Sequence, residues 1–267
     1  NLYSGQITDS KGQTGADSNK YGGGVYVNNG GTFNMYGGTI TKNDANYGGG
    51  VYVKSGTFNM YGGTIKNNTS SGGYGKLSFG GAGVYVEASG NFIMNNDASV
   101  TENTIGYGST GGAGVYVNGG KFEMNDNASV TNNIANNSSG SSGGGVYVSG
   151  GTFEMNGNAS VSGNTAKNGT LNGAGVYVLG GGTFTMDGRS KVTGNAASGN
   201  QSGKNDGGGV YVSMGSKFEM NGEATSVSNN TATGSGGGVY VAGSLTMNDN
   251  ASVTGNKATV YGGGVHM

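Results

Sequence analysis

The chain has no cysteine, no proline and no tryptophan among its 267 residues, and a single histidine. Lack of cysteine removes disulfides and thiolate metal sites, although it does not fix a compartment. Lack of proline suits a chain whose backbone N–H groups are nearly all committed to a ladder. Charge is scarce as well: charged residues make up 10% and the formal net charge is −1. That balance leaves no electrostatic footprint for nucleic acid or an anionic membrane. There is no charge block, no transmembrane run, and no signal-peptide pattern at Asn1.

What the chain has instead is glycine, 62 residues of it, among many Ser and Asn. Such a composition on its own suggests a disordered linker. The apolar residues argue otherwise, because they return in register. A phrase of three beats recurs: Val-Tyr-Val after a glycine cluster, then Phe-x-Met, then Ile/Val-Thr/Ser-x-Asn. The opening valines are Val25, Val51, Val84, Val115, Val146, Val176, Val210, Val239 and Val265, 26 to 34 residues apart. A repeat of that length buries its apolar face only by stacking on its neighbours.

Each beat is too short for a helix and has the two-residue period of a strand. The sequence therefore predicts an all-β fold, a single-stranded right-handed parallel β-helix with three short strands per rung and about nine rungs. The sense follows the handedness of parallel crossovers. Residues 1–267 form one solenoid segment, starting and ending mid-rung: Asn1 to Thr8 aligns with Asn34 to Thr41, and Gly262 to Met267 is a bare first strand. Either the chain is part of a longer solenoid, or copies join end to end through open strand edges.

Stacking places like residues in columns. Phe33, Phe58, Phe92, Phe122, Phe153, Phe184 and Phe218 form one interior column, completed by Leu245, and the methionines two residues on form the next. Rings and adaptable thioethers fill a narrow coil, so this stripe reads as core. Asn43, Asn68, Asn103, Asn133, Asn164, Asn195, Asn230 and Asn256 close the third beat. Stacked amides bond along the axis, and Asn tolerates the left-handed geometry of tight bends.

Several columns invite functional readings. The outward tyrosines Tyr26, Tyr52, Tyr85, Tyr116, Tyr147, Tyr177, Tyr211 and Tyr240, with His266 in the last place, form a stabilising aromatic ladder whose exposed flank is a lateral contact surface. A second outward column, Thr41, Lys66, Thr101, Thr131, Ser162, Thr193, Ser228 and Thr254, resembles the arrays of ice-binding solenoids. It offers one Thr per rung in place of a paired Thr-x-Thr, and Lys66 interrupts it. Glu123 and Glu154 occupy adjacent rungs, with Glu219 two rungs further; paired carboxylates suit a retaining glycosidase. A flat strand with no cleft, balanced by Lys121 and Lys217 and served by one arginine, Arg189, does not assemble a reaction centre. The expectation is that the chain is not an enzyme. Asp97, Asp126 and Asp249 supply one ligand per turn, far short of a calcium shell, so no metal and no cofactor is expected.

The large length variation lies in the connection from the third beat to the next first beat, which spans 8 to 16 residues from ladder Asn to Val. Variable loops on a rigid scaffold are where recognition resides. The longest runs from Thr69 to Gly83 and carries Tyr74, Lys76 and Phe79; Tyr107, Leu171 and Lys204 lie in others. Tyr74, Lys76, Phe79 and Tyr107 are the candidate ligand-contact residues.

GGGVYV followed by Phe-x-Met and VTGNxA resembles the right-handed β-helix repeats of bacterial and archaeal adhesin-like surface proteins. It is also similar to the chlamydial polymorphic outer-membrane protein repeats built on GGA-I/V and F-x-x-N. Gly111-Gly112-Ala113-Gly114-Val115 and Val192-Thr193-Gly194-Asn195 stand in the matching places, with Ile or Val replacing the Phe before x-x-N. The resemblance covers essentially the whole chain and implies a secreted or surface-displayed passenger. The function expected is a non-enzymatic adhesin passenger or stalk, extracellular or at the cell surface, contacting a host or neighbouring-cell glycan or protein. The alternatives are a self-assembling extracellular fibre of end-stacked solenoids, and a carbohydrate-active β-helix enzyme.

Overall fold

The computed structural model describes residues 1–12, 20–70, 78–106, 109–136, 143–167, 172–199 and 205–267, with the side chains of 78, 79 and 109 excepted. The strands are stacked as a parallel β-solenoid with three main sheets, of 15, 9 and 8 strands. Every strand pairs with its own copy one rung away, as in Val84↔Val115, Phe92↔Phe122 and Val100↔Val130. The alignment of the terminal segments holds: Ile7 pairs with Ile40, and His266 with Tyr240. Because the first and last turns are partial, complete turns are slightly fewer than the nine opening valines.

The faces are divided differently from the three beats. Val-Tyr-Val and Phe-x-Met share one sheet, and in Val51–Met60 and Val84–Met94 they are a single continuous strand. Ile/Val-Thr/Ser makes the second sheet. The third is built from a short strand after the ladder asparagine, as in Ile134–Asn136 and Thr165–Lys167. Its inward residue is small in most turns (Ala45, Ala135, Ala166, Ala197, Ala232). Four of these pack with Ala82, Ala113 and Ala174 of the glycine clusters in a cluster separate from the main core. A two-residue strand with one small inward side chain carries too little period to stand out in the sequence.

The main core is formed by the valines, the phenylalanines, the methionines and the second-sheet Ile/Val column. Phenylalanine rings stack with centroids 4.7 to 5.0 Å apart along most of the column. That is the spacing of neighbouring strands, so ring contact adds to the backbone ladder without distorting it. One step departs: Phe58 and Phe92 sit 5.7 Å apart, edge to face. The same pair of rungs holds a register shift, with Val86 opposite Val53 but Ser89 opposite Ser55. Glu87 and Ala88 thus oppose the single residue Lys54, which is a β-bulge.

The asparagine ladder is continuous. Each Oδ1 accepts from both the backbone N–H and the Nδ2 of the preceding ladder asparagine, as Asn133 does from Asn103, at 3.0 Å each. Each Nδ2 also donates back to an apolar residue's carbonyl, Asn133 to Val100 at 3.1 Å. Asn43 through Asn195 are buried, as is Asn230. The ladder residues themselves do not take the left-handed conformation. The residue before each does: Lys42, Asn67, Glu102, Asn132 and Asn229 have φ of 53° to 56°, and glycine holds the position in the remaining turns. The ladder amide is held inward by its bonds, so the reversal falls on its neighbour.

The last glycine of each cluster lies against this ladder. A Cβ on Gly145 would sit 2.6 Å from the Gly175 carbonyl oxygen and 2.9 Å from Asn164 Nδ2. Gly145→Ala is therefore expected to destabilise the solenoid by about 1–3 kcal/mol through overpacking. Asn133→Ala strands the Asn103 N–H and the Val100 carbonyl in the core and is expected to cost about 3 kcal/mol or more. Asn125→Ala, in a partly exposed amide pair with Asn95 at 3.1 Å, should change stability by no more than about 0.5 kcal/mol. Denaturant midpoints of the three variants check the order.

Candidate functional site

The tyrosine column runs in register along the first sheet. Ring centroids are 4.7 to 5.3 Å apart from Tyr26 to Tyr240, with His266 5.1 Å beyond. Its middle is not an exposed flank. Tyr52, Tyr85, Tyr116, Tyr147 and Tyr177 are 2–7% exposed and form a cluster of their own outside the main core. The lateral contact surface expected along the whole column is corrected accordingly. The cause is the third-to-first connection, which returns across the rings. Tyr47 packs edge-on against Tyr52 and Tyr85, Tyr21 against Tyr52, and the Gly111 backbone lies so close that a Cβ there would be 2.9 Å from the Tyr116 ring. From Tyr85 to Tyr211 successive rings are edge to face, whereas Tyr26–Tyr52 and Tyr211–Tyr240 are parallel.

The hydroxyls reach one rung onward. Tyr52 donates to Glu87 Oε1 at 2.7 Å, and Tyr85 and Tyr116 share hydrogen bonds with Asn118 and Ser149. Burial pushes the phenols of Tyr52, Tyr85, Tyr116 and Tyr147 above their ordinary value of 10.0, and for Tyr52 the Glu87 carboxylate adds to the effect. Tyr211, less covered, is pushed up to about 12 by burial and then by Tyr177.

At the amino-terminal end the column opens. Tyr26 is 45% exposed, and with Tyr21, Tyr52, Lys54 and Glu87 it lines an open cleft of about 360 Å³. Glu87 directly follows Val-Tyr-Val, as Lys54 does in its own rung, so both lie on this outward face, with Glu87 within reach of the Tyr52 hydroxyl. The cleft offers aromatic surface, one ammonium and one carboxylate whose orientation a phenol fixes. That is equipment for binding a polar ligand with an apolar face. The sequence carried a signal for part of it: Tyr21 and Tyr47 both directly precede a triple glycine. Lys54 and Glu87 gave none, because the residue after Val-Tyr-Val changes from turn to turn, as Asn28, Lys54, Glu87, Asn118 and Ser149 show.

The remaining candidates lie apart from this cleft. Tyr74, Lys76 and Tyr107, with Leu171 and Lys204, lie outside the described residues. The Phe79 backbone pairs with Thr110 in a two-stranded ladder between adjacent connections. Glu123 and Glu154 are neighbours, with Lys121 Nζ 3.1 Å from both. Burial acts to raise the Glu123 carboxyl, but hydrogen bonds from Asn125 and Lys121 outweigh it and hold it below its usual range. Hydrogen bonds to Glu154 and Glu123 raise Lys121. An ionised triad of this kind has the wrong polarity for a proton donor. Glu219 is separated from Glu154 by the rung of Thr185.

Asp126 and Asp249 accept the N–H groups of Asn96 and Gly222 in the rung before their own, and Asp97 accepts from the Asn127 side chain. Among the described residues no three His, Cys, Asp or Glu side chains gather as a metal site. Arg189 lines a shallow notch with Lys191 and Glu223, remote in sequence and column from the tyrosines. The threonine column is paired after all. Thr39, Thr64, Ser99, Ser129, Ser160, Lys191, Ser226 and Ser252 form a second column on the same face, and hydroxyls bond between rungs, as Thr131 to Thr101 at 3.1 Å.

Comparison of the chain with protein-family models, curated proteins and solved structures gave no match.

The phenols carry a pH dependence whose sign is fixed by their upward shift. Stability is full below the ordinary value of 10.0 and is lost as pH rises from there through the folded values. Ultraviolet absorbance of tyrosinate, followed with circular dichroism, should show Tyr52, Tyr85, Tyr116, Tyr147 and Tyr211 ionising only as the sheet signal collapses. Free titration of all 16 tyrosines near 10 with the fold intact would contradict the buried column.

Proposed function

We propose that the chain is a non-enzymatic β-solenoid of an extracellular or cell-surface protein, an adhesin passenger or stalk. Its ligand is a glycan or protein surface, bound on the edge where the third-to-first connections return over the tyrosine column. The observation that carries this reading is the open cleft at the amino-terminal end of the column, where Tyr21, Tyr26, Tyr52, Lys54 and Glu87 meet. The β-bulge at Glu87 and Ala88 lies beside it, and bulges concentrate beside functional sites. In the cleft Tyr52 holds Glu87 by a hydrogen bond, while a half-exposed Tyr26 supplies aromatic surface. In sequence, the connection from Thr69 to Gly83, with Tyr74, Lys76 and Phe79, directly precedes the strand that carries Glu87.

Glu123, the carboxylate beside Glu154, is held ionised and so is not poised as a general acid, which supports the non-enzymatic half of the proposal. The rigid ladder supports the stalk half, because it fixes the spacing of contacts along the axis. Binding to a panel of glycans and surface proteins tests both. A double variant, Tyr26→Ala with Glu87→Gln, should weaken the strongest interaction by about tenfold or more, the scale of removing an aromatic anchor. Unchanged binding, or cleavage of a polysaccharide by the purified chain, would sink the proposal.

A further inference from the structure

A second tyrosine stack lies on another part of the molecule and serves none of the roles above. Tyr36 and Tyr61 directly follow the core methionines Met35 and Met60, at a position that Asn95, Asn125 and Asn156 hold in later rungs. Tyr3 continues the stack through the terminal turn, where Leu2 bridges to Met35. Tyr3 and Tyr36 are 4.9 Å apart with planes 7° from parallel, and Tyr36 and Tyr61 are 5.1 Å apart at 14°. All three are solvent-accessible, at 67%, 45% and 38% exposure.

We propose that Tyr3, Tyr36 and Tyr61 form an oxidative cross-linking site, at which a peroxidase-class catalyst and hydrogen peroxide join neighbouring rings as dityrosine. Each phenol loses one electron and one proton to give a phenoxyl radical. Two radicals form a carbon–carbon bond between ring positions ortho to oxygen. Each ring then regains aromaticity as its ortho hydrogen leaves as a proton and the oxygen takes one up. The two electrons and two protons removed overall reduce one peroxide to two waters.

Proximity and freedom decide which tyrosines react. The buried column has the same ring spacing, but its rings are closely packed, and from Tyr85 to Tyr177 they are locked edge to face. Coupling requires two stacked rings to tilt until ortho carbons meet, which close packing forbids. The exposed stack meets the oxidant and retains that freedom, while its strands remain at the ladder spacing of about 4.8 Å. Tyr36 is the common member of both pairs. In a chain with no cysteine, such a link would tie the first turn to the next covalently.

The full chain, kept dilute to suppress links between molecules, is treated with a haem peroxidase and limiting peroxide. Expected are dityrosine fluorescence in the monomer fraction and loss of two hydrogens per link. Peptide mapping should place Tyr36 in the linked peptides, with Tyr3 or Tyr61 as partner. Exposed Met214 and Met267 will gain oxygen under the same conditions, and mapping separates that change. Tyr36→Phe keeps the ring and the stack but should lose most of the signal, whereas Tyr147→Phe should leave it unchanged. No intramolecular dityrosine, links centred on Tyr26, Tyr240 or Tyr261, or full signal in Tyr36→Phe would each overturn the proposal. None of these outcomes bears on ligand binding at the Glu87 cleft.

Discussion

The asparagine amide ladder is the constraint on which the rest of the solenoid depends. An amide carries one acceptor oxygen and two donor protons, and the ladder uses all three. Oδ1 takes two bonds from the preceding rung, and Nδ2 serves a carbonyl and the next oxygen. In a buried column an unmade bond is costly, so each turn must advance by one peptide hydrogen-bond spacing, neither more nor less. That pitch then governs everything beside it. Rings stack because they are one strand apart, and the glycine facing each amide cannot carry a Cβ. The tight reversal is passed to the preceding residue, even where that residue is Lys42 or Glu102.

Regularity of this kind conceals function. A column of identical side chains is stabilised by its own repetition, whatever else it does. Departures from the repeat carry more information: the charged Lys54 and Glu87 after Val-Tyr-Val, the tyrosines before three triple glycines, and the rungs where tyrosine replaces asparagine after methionine. Each departure joins residues from different turns. Tyr21, Tyr26, Tyr52, Lys54 and Glu87 come from successive rungs, as do Tyr3, Tyr36 and Tyr61.

Much of the fold was legible because its periods are long and its core residues large. Phe122, Met124 and Val130 announce strands through spacing and size, and their register follows from identity with Phe153, Met155 and Val161. The alanine strands were hidden, since Ala135 or Ala166 in a two-residue strand looks like any turn residue. The tyrosines misled for a different reason. Alternation correctly put Tyr116 outside the coil, but outside the coil is not the same as in water when the chain passes over it again. The paired hydroxyl columns were overlooked because the second mixes Thr, Ser and Lys.

The sequence by itself determined the repeat, the strand positions, the interior columns and the identity of the ladder amides. Those properties depend on side chains at equivalent places in neighbouring turns, and a one-dimensional period suffices to align them. Only the tertiary structure decided that two beats share one sheet, that a small-residue strand makes the third, and that most of the tyrosine column is covered. It also decided that Glu87 meets Tyr52. These depend on how far a connection reaches back across the coil and on which side chain a covered hydroxyl meets one rung onward. Neither is periodic, so neither can be counted from the repeat.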